Sequence, residues 1–539
     1  MSVTSHSANE MGPIPTVIRI GVLGHRYVDE PDLALRMARP LFSQLYAEFA
    51  GLSAGGGYRV VLLSSLAEGA DQILARAALS AHDAHDTRLI QLRAILPFPE
   101  DEVAPLFSSK AGVASFHELL KKSAHVTVLS RMPNDDAAYA ECGRTLVDNS
   151  DLVVAIWNGQ PSTGSAGTYP VLMYARELGK RTIVLNTSNS YAIQCTASKG
   201  SFDYRLRFAQ VRAFNNFAFP KSGLEKQCRQ MIDRMHQIDP SSSPVEQPFG
   251  ELFIADLKLM IHADLVAGQA ARASRRIAAA TQWLSFGAIL AVATQISVFP
   301  QDHMLIIFEI VSIVAILVLA TIANYRAWQT RWADYRYLAE RMRATLFRLY
   351  HQSTERHGPT QVDEVESTSS DDWVSLLTEW IKLDRRGRPE FVPFLGNATV
   401  RILWIEAQVA YYDDRSQALL TADHRLRVAG FLSFALTGLA AICHLVAKDP
   451  ILAGAMSVIA LIGPAFGAAI VAIRAHREMQ KHATRYRSSS TQLKRLSRLI
   501  TATTDSSALR KMLATVDGIL RLEHTEWRTT ASTRELGPS

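Results

Sequence analysis

The sequence predicts an α/β N-terminal domain, a doubly wound parallel sheet, followed by an all-α membrane domain with four transmembrane helices in two hairpins. Short apolar runs that end in glycine- and hydroxyl-rich loops argue for the sheet. Four long windows almost free of charge, each pair bounded by arginines, argue for the membrane part.

The first run, from Ile18 (IRIGVLGHR), reads as a buried strand entering a tight turn with Gly21, Gly24, His25 and Arg26 at its end. Open α/β sheets bind ligands at such turns. A second strand, Tyr58 to Leu63, runs into Ser64, Ser65, Leu66, Ala67, Glu68, Gly69, Ala70 and Asp71, where the next helix should start. Hydroxyls and free N–H groups at a helix N-terminus suit phosphate or ribose. A third strand, Leu89 to Leu96, ends in Pro97-Phe98-Pro99, and a later one, Asp151 to Trp157, opens into a loop from Asn158 and Gly159 through Gly164 and Gly167 to Thr168. A helix through Tyr174 and a strand at Thr182 to Leu185 follow. Each loop lies at the C-terminal end of a strand, so all are expected to meet at one crevice. His25 and Arg26 read either as ligand contacts or as a turn packed on the next helix. Glu68 and Asp71 read as ribose hydrogen-bond partners, as an acid and base, or as complements to the helix dipole.

The 539 residues carry a net charge of +6, but Lys and Arg crowd beside the apolar windows rather than on one patch, so the membrane and not nucleic acid is the expected partner. Cys142, Cys195, Cys228 and Cys443 show no CxxC spacing and read as reduced thiols; no metal site is expected. The opening MSVTSHSANEMGPIP is polar, neither a signal peptide nor an anchor.

The windows run from Ile277 to Gln301, Met304 to Asn324, Val428 to Ala447 and Ile451 to Ile473, each close to the roughly 20 residues a helix needs to span the hydrocarbon. Their connections are so short that each pair must turn back at once. Arg272, Arg275, Arg276, Arg326 and Arg331 flank the first hairpin, and Arg425, Arg427, Arg474, Arg477 and Lys481 the second, which points both tips away from the cytoplasm. Inside the spans, Glu309 is a costly carboxylate that reads as a pore-lining group or as a hydrated interfacial one. Gly463, Pro464 and Gly467 predict close helix contact and a kink.

The hairpins also read as repeats. RAWQTRWADYR at Arg326 to Arg336 matches REMQKHATRYR at Arg477 to Arg487 in Arg, Gln and Tyr-Arg, the LSF of Leu284 recurs at Leu432, and Gln269-Ala270 recurs as Gln417-Ala418. After the first hairpin, Leu338, Met342, Leu346 and Tyr350 form an apolar helix face that reads as packing against another element or as an amphipathic face on lipid.

GVLGHR, SSLAEGAD, LPFP and the Trp-Asn-Gly loop ending in GSAGT together resemble the SLOG family of Rossmann-like domains, related to the cytokinin-activating LOG enzymes and to DprA-like proteins, over Val17 to Asn186. The hairpin units, with a helix rich in Tyr-Arg and Ala-Glu-Arg after the second span, resemble the SLATT (SLOG-associated two-transmembrane) domains that accompany SLOG domains in bacterial conflict systems. The resemblance implies that Gly24, His25, Arg26, Ser65, Glu68, Gly69, Asp71, Gly164, Gly167 and Thr168 surround a nucleotide-like ligand. Asn158 and Gly159 belong to the same loop. One departure bears on chemistry: LOG enzymes carry Gly-Gly-x-Gly-Thr-x-x-Glu, and here GSAGTYPV puts Val171 where the glutamate would stand. Valine exchanges no proton, which argues for a sensor over a glycosidic hydrolase unless Glu68 or Asp71 has taken over.

The expected map is a disordered tail over 1–16, a ligand-binding domain over 17–234, a linker over 235–250, a membrane unit over 251–351, an acidic linker over 352–372, a second membrane unit over 373–520 and a tail over 521–539. The expected function is a membrane effector of antiviral defence, whose crevice senses a nucleotide-derived signal and drives the hairpins to form a pore or disrupt the bilayer. The alternatives are a membrane-tethered enzyme processing nucleotides or NAD, and a ligand-gated channel or transporter unrelated to defence. No cofactor is expected to be permanently bound. The expected partners are the lipid bilayer, a nucleotide-like small molecule and further copies of the chain in a homo-oligomer, and the expected location is the inner membrane, multi-pass, with both termini cytoplasmic.

Overall fold

The computed structural model describes residues 12–81, 89–161, 167–199, 203–217, 221–247, 250–299, 301, 303–354, 372–388 and 391–533. The chain forms two bodies: a sheet body ending at Ala218 that also takes in Glu355–Val392, and a helical body of Phe219–Thr354 and Pro393 onward. In chain order the sheet body holds β1 (Thr16–Gly24), α1 (Pro31–Ser53), β2 (Tyr58–Ser64), α2 (Ala70–Ser80), β3 (Ile90–Leu96), α3 (Glu100–Val103), α4 (Lys110–Lys122), β4 (His125–Val128), α5 (Asp135–Asp148), β5 (Leu152–Trp157), α6 (Thr168–Glu177), β6 (Arg181–Asn186), β7 (Ala192–Thr196) and α7 (Tyr204–Asn215). Then come α8 (Lys221–Ile238), α9 (Gly250–Ser297), α10 (His303–Arg326) and α11 (Trp328–Leu349) of the helical body, and α12 (Trp373–Arg386), which returns to the sheet body. The helical body resumes with α13 (Asn397–Val400), a π-helical turn at Arg401–Glu406, α14 (Ala407–Val446), α15 (Pro450–Arg477), α16 (Met479–Ala502) and α17 (Ser506–Thr533).

The strands lie in the order β4-β3-β2-β1-β5-β6-β7, parallel except for the β6–β7 pair. Both faces of the parallel strands are covered, which is why LVVAIW and YRVVLL read as near-continuous apolar runs. Connections leave β1 in one direction and β5 in the other, so a crevice opens between them at their C-terminal ends. One face carries Ile18, Ile20, Val22, Leu62, Leu92 and Val154 into a core with α1, α2 and α4. The opposite face is partly polar. There Asp151 takes Arg19 at 3.0 Å and Arg207 at 2.5 Å. Burial alone would raise the Asp151 carboxyl, but the two guanidiniums override it and hold it far below the usual carboxylate range.

The same polar face receives α12. Trp373, Val374, Leu376, Leu377, Trp380 and Ile381 are buried, and Trp373 meets the Phe214 ring of α7 at 5.9 Å. Burying side chains of this size is worth about 1.5–3 kcal/mol each. Glu379 pairs with Arg93 of β3 at 2.5 Å, and Gln91 donates to the Trp380 carbonyl at 3.4 Å. Asp372 caps the helix by accepting from the N–H groups of Val374 and Ser375. The second membrane unit expected from residue 373 therefore begins later, at Pro393, because a sheet needs helices on both faces and α12 supplies one.

Three further boundaries move. The ligand-binding domain expected to reach 234 ends at Ala218, with α7 on the sheet body and α8 on the helical body. Residues from Ile14 are tied into the sheet body, since Ile14 exchanges two hydrogen bonds with Asn215, so the expected tail does not reach 16; residues 1–11 lie outside the described residues. The C-terminal tail expected from 521 is helical to Thr533.

In the helical body the four expected spans fall on α9, α10, α14 and α15, and all four helices are long and apolar enough to cross a membrane. Each hairpin ends in the same backbone break. Only Ala327 (φ 46°) separates α10 from α11, and only Glu478 (φ 43°) separates α15 from α16. These are equivalent positions of RAWQ and REMQ, so the duplication read from sequence extends to a left-handed residue at each break. The face of α11 packs rather than lying on lipid: Leu338, Met342, Leu346 and Tyr350 are all buried, Phe347 stacks on Trp404 at 6.0 Å, and Arg341 pairs with the buried Asp517 at 2.8 Å.

Candidate ligand-binding cleft

A cavity of about 380 Å³ lies at the C-terminal ends of β1 and β5 in the sheet body. Its wall includes Gly24, His25, Arg26, Ser65, Glu68, Asp71, Gly167 and Thr168, eight of the residues singled out in the sequence. Gly69 supports the wall from behind: at φ 94° it brings the start of α2 against the Arg26 carbonyl, where a Cβ would overlap backbone. Gly24 is equally confined, because a Cβ there would come within 2.5 Å of both Ala70 and the Ile156 carbonyl. Asn158 and Gly159 stand outside the lining. The Asn158 N–H donates to His25 Nε2 at 3.1 Å, which leaves the ring proton to Nδ1 and fixes the imidazole between the two loops. Gly164 lies outside the described residues.

The two carboxylates have different roles. Glu68 accepts from the N–H and hydroxyl of both Ser108 and Ser109, at 2.5 to 3.1 Å, and so fastens its loop to the N-terminus of α4. Burial would raise its carboxyl, but the bonds from Ser109 and Ser108 outweigh that and bring it down to about 2. Asp71 is buried and takes Ser65 Oγ at 2.5 Å. Burial pushes its carboxyl up to about 7 against hydrogen bonds from the Ser65 hydroxyl and from backbone groups of Gly24, Ala67 and Ser65. It thereby ties the end of β1 to the loop after β2, at whose turn Leu66 is held at φ 54°.

The rest of the wall comes from side chains that the loop-centred reading missed. Tyr139, Cys142 and Leu146 project from α5, Phe107 from the turn before α4, and Trp157 meets the Tyr169 ring at 5.8 Å. The apolar stripe of α5 carries no sequence sign that distinguishes cleft from core. Val171, in the position of the LOG glutamate, is buried in the wall and packs on Gly143.

The membrane candidates sit as follows. Glu309 is half-buried on the α10 face that also carries the buried Ser312. Gly463 and Gly467 are close-contact positions: a Cβ on Gly463 would overlap Thr437 Oγ1, one on Gly467 would come within 2.8 Å of the Phe434 ring, and Ser433 donates to the Gly463 carbonyl at 2.7 Å. Pro464 lies within α15, which continues through it.

A doubly wound sheet with a cleft at its switch point, joined to tandem hairpins of span-length helices, defines a membrane protein with a cleft-bearing α/β domain. Residues 403–527, the second hairpin with its flanking helices, match the family described as SMODS and SLOG-associating 2TM effector domain 1. The comparison with curated proteins gives no match. The N-terminal sheet fits the fold that the SLOG resemblance implies.

Proposed function

We propose that this chain is a membrane effector of antiviral defence in which a nucleotide-derived ligand fills the cleft and the hairpins respond by opening a pore or disrupting the bilayer. The observation that carries the reading is a preformed aromatic and polar cleft in one chain with a region similar to an effector hairpin family. A ligand acts here only through different affinities for the resting and responding states. In this reading the protein is a homo-oligomer in the inner membrane with both termini and the cleft in the cytoplasm. The experiment is dye release from liposomes holding the full chain, titrated with nucleoside monophosphates, ADP-ribose and cyclic dinucleotides. Release by a compound that binds the chain supports the proposal, while sealed vesicles under every compound that binds would end it.

The location of Asp71 favours one second reading, a nucleotide- or NAD-processing enzyme, because a carboxyl poised near 7 in a cleft wall suits proton transfer. Two features weigh against it: Glu68 is committed to α4, and Val171 offers no proton. Turnover of NAD or a nucleoside monophosphate that Asp71→Asn abolishes, with binding retained, would establish it.

A further inference from the structure

The path of the chain between the two bodies is unusual for a domain followed by a membrane anchor. It leaves the sheet body after α7, builds the first hairpin, returns to place α12 on the sheet, and leaves again to build the second hairpin. The connections differ in length. Only residues 216–220 join α7 to α8, and only 387–396 join α12 to α13, whereas the return from α11 to α12 runs from 350 to 372.

We propose that α12 is an anchored strut through which the sheet body acts on the second hairpin separately, so that each hairpin has its own short input from the sheet body. The first input is α7 through α8 into α9. The second is α12 through α13 and the π-helical turn into α14.

Two strands join the cleft to the strut. β3 pairs with Glu379 through Arg93 and reaches the cleft four residues later at Pro97. β1 packs on α12 and reaches the cleft at Leu23 and Gly24. The docking is specific in charge as well as apolar fit, because Arg93 is buried and Glu379 is the carboxylate beside it. Beyond the strut, the π-helical turn carries Trp404, fully buried against Phe347 of the first repeat. Single π-turns inside α-helices are frequent at functional sites.

This inference does not depend on which ligand the cleft takes, and its test uses none. Hydrogen exchange is followed in the full chain in lipid nanodiscs. Glu379→Gln is expected to speed exchange of the amides of 393–406 at least fivefold while those of 250–270 change less than twofold. A flexible eight-residue Gly-Ser insertion between Val392 and Pro393 is expected to produce the same fast exchange at 393–406 with α12 itself still protected. The same insertion between Gln361 and Val362, in the long return, is expected to leave both regions unchanged. Equal rates at 393–406 in the wild type and the 392/393 insertion, with α12 protected in both, would overturn the proposal. So would an equal acceleration in both hairpins after Glu379→Gln.

Discussion

The two hairpins share a backbone break and secure it differently. At the second, Asp423 is buried against Arg474 on one side of Glu478 and Gln480 on the other, at 2.9 and 3.0 Å, with Arg427 at 3.0 Å one turn away. Counting from the Gln269-Ala270 and Gln417-Ala418 pairs, Arg275 stands where Asp423 does, so the first hairpin has no carboxylate in that place. Among the described residues, Arg336 pairs with Asp264 and with Glu340 deeper in the helical body. A duplicated unit has thus kept its geometry and changed its fastening: the second joint carries a carboxylate staple at the edge of the span, and at the equivalent place the first carries Arg275.

The largest effect expected from breaking this comparison is that of Asp423→Ala. It strands two arginines at a buried staple, and since both remain partly exposed the cost is about 2–3 kcal/mol. Arg275→Ala should change stability by less than about 0.5 kcal/mol. Urea unfolding in detergent micelles would compare the two. Next in size is Gly463→Ala, whose methyl has no room beside Thr437 and should cost about 1–3 kcal/mol. Gly287→Ala in the first hairpin meets the Phe308 ring at an ordinary 3.4 Å and should be near neutral, measured by the same unfolding curves.

The junction between the repeats supplies a pH test. His351 is buried, with Nδ1 beside Ser353 Oγ at 2.6 Å and Nε2 beside Asn397 Oδ1 at 2.7 Å. Burial lowers its basicity, opposed by the bond to Asn397, so the folded value lies below the ordinary 6.5. The unfolded chain then takes up the proton first on acidification. The contribution of His351 to stability is therefore fully present above about 6.5 and is lost as the pH falls through the lower folded value. His262 in α9 is lowered by burial as well. His351→Gln should remove part of the slope between pH 7 and 5, read from melting temperatures across that range. A small gain is expected at the breaks themselves: Ala327→Gly and Glu478→Gly relieve a left-handed residue but free the unfolded chain, for a net gain of roughly 0.5–1 kcal/mol each. A loss of stability at either site would mean that the break is held by side-chain contacts.

The strands that positioned the cleft were readable because they are central and apolar throughout. Those missed were the edges: HVTV of β4 is four residues long, and AIQCT of β7 is exposed along most of its length, so neither shows an apolar run. The spans were readable for the same reason as the central strands. The cleft loops were placed from glycines and hydroxyls, but the role of Glu68 was not, since its partners Ser108 and Ser109 are forty residues away and meet it only through the fold. The apolar positions of WVSLLTEWIKL show that 373–383 needs a partner surface, and nothing local says that the surface lies on a sheet made some three hundred residues earlier.

That distance has a consequence for synthesis. The ribosome makes the first hairpin, α9 and α10, before it makes α12. Until then the nascent sheet exposes Arg93 without its carboxylate and the bed of Trp380 without its indole. A chain cut short after its first hairpin therefore carries an unfinished sheet, and the order of translation places insertion of that hairpin ahead of completion of the cleft domain.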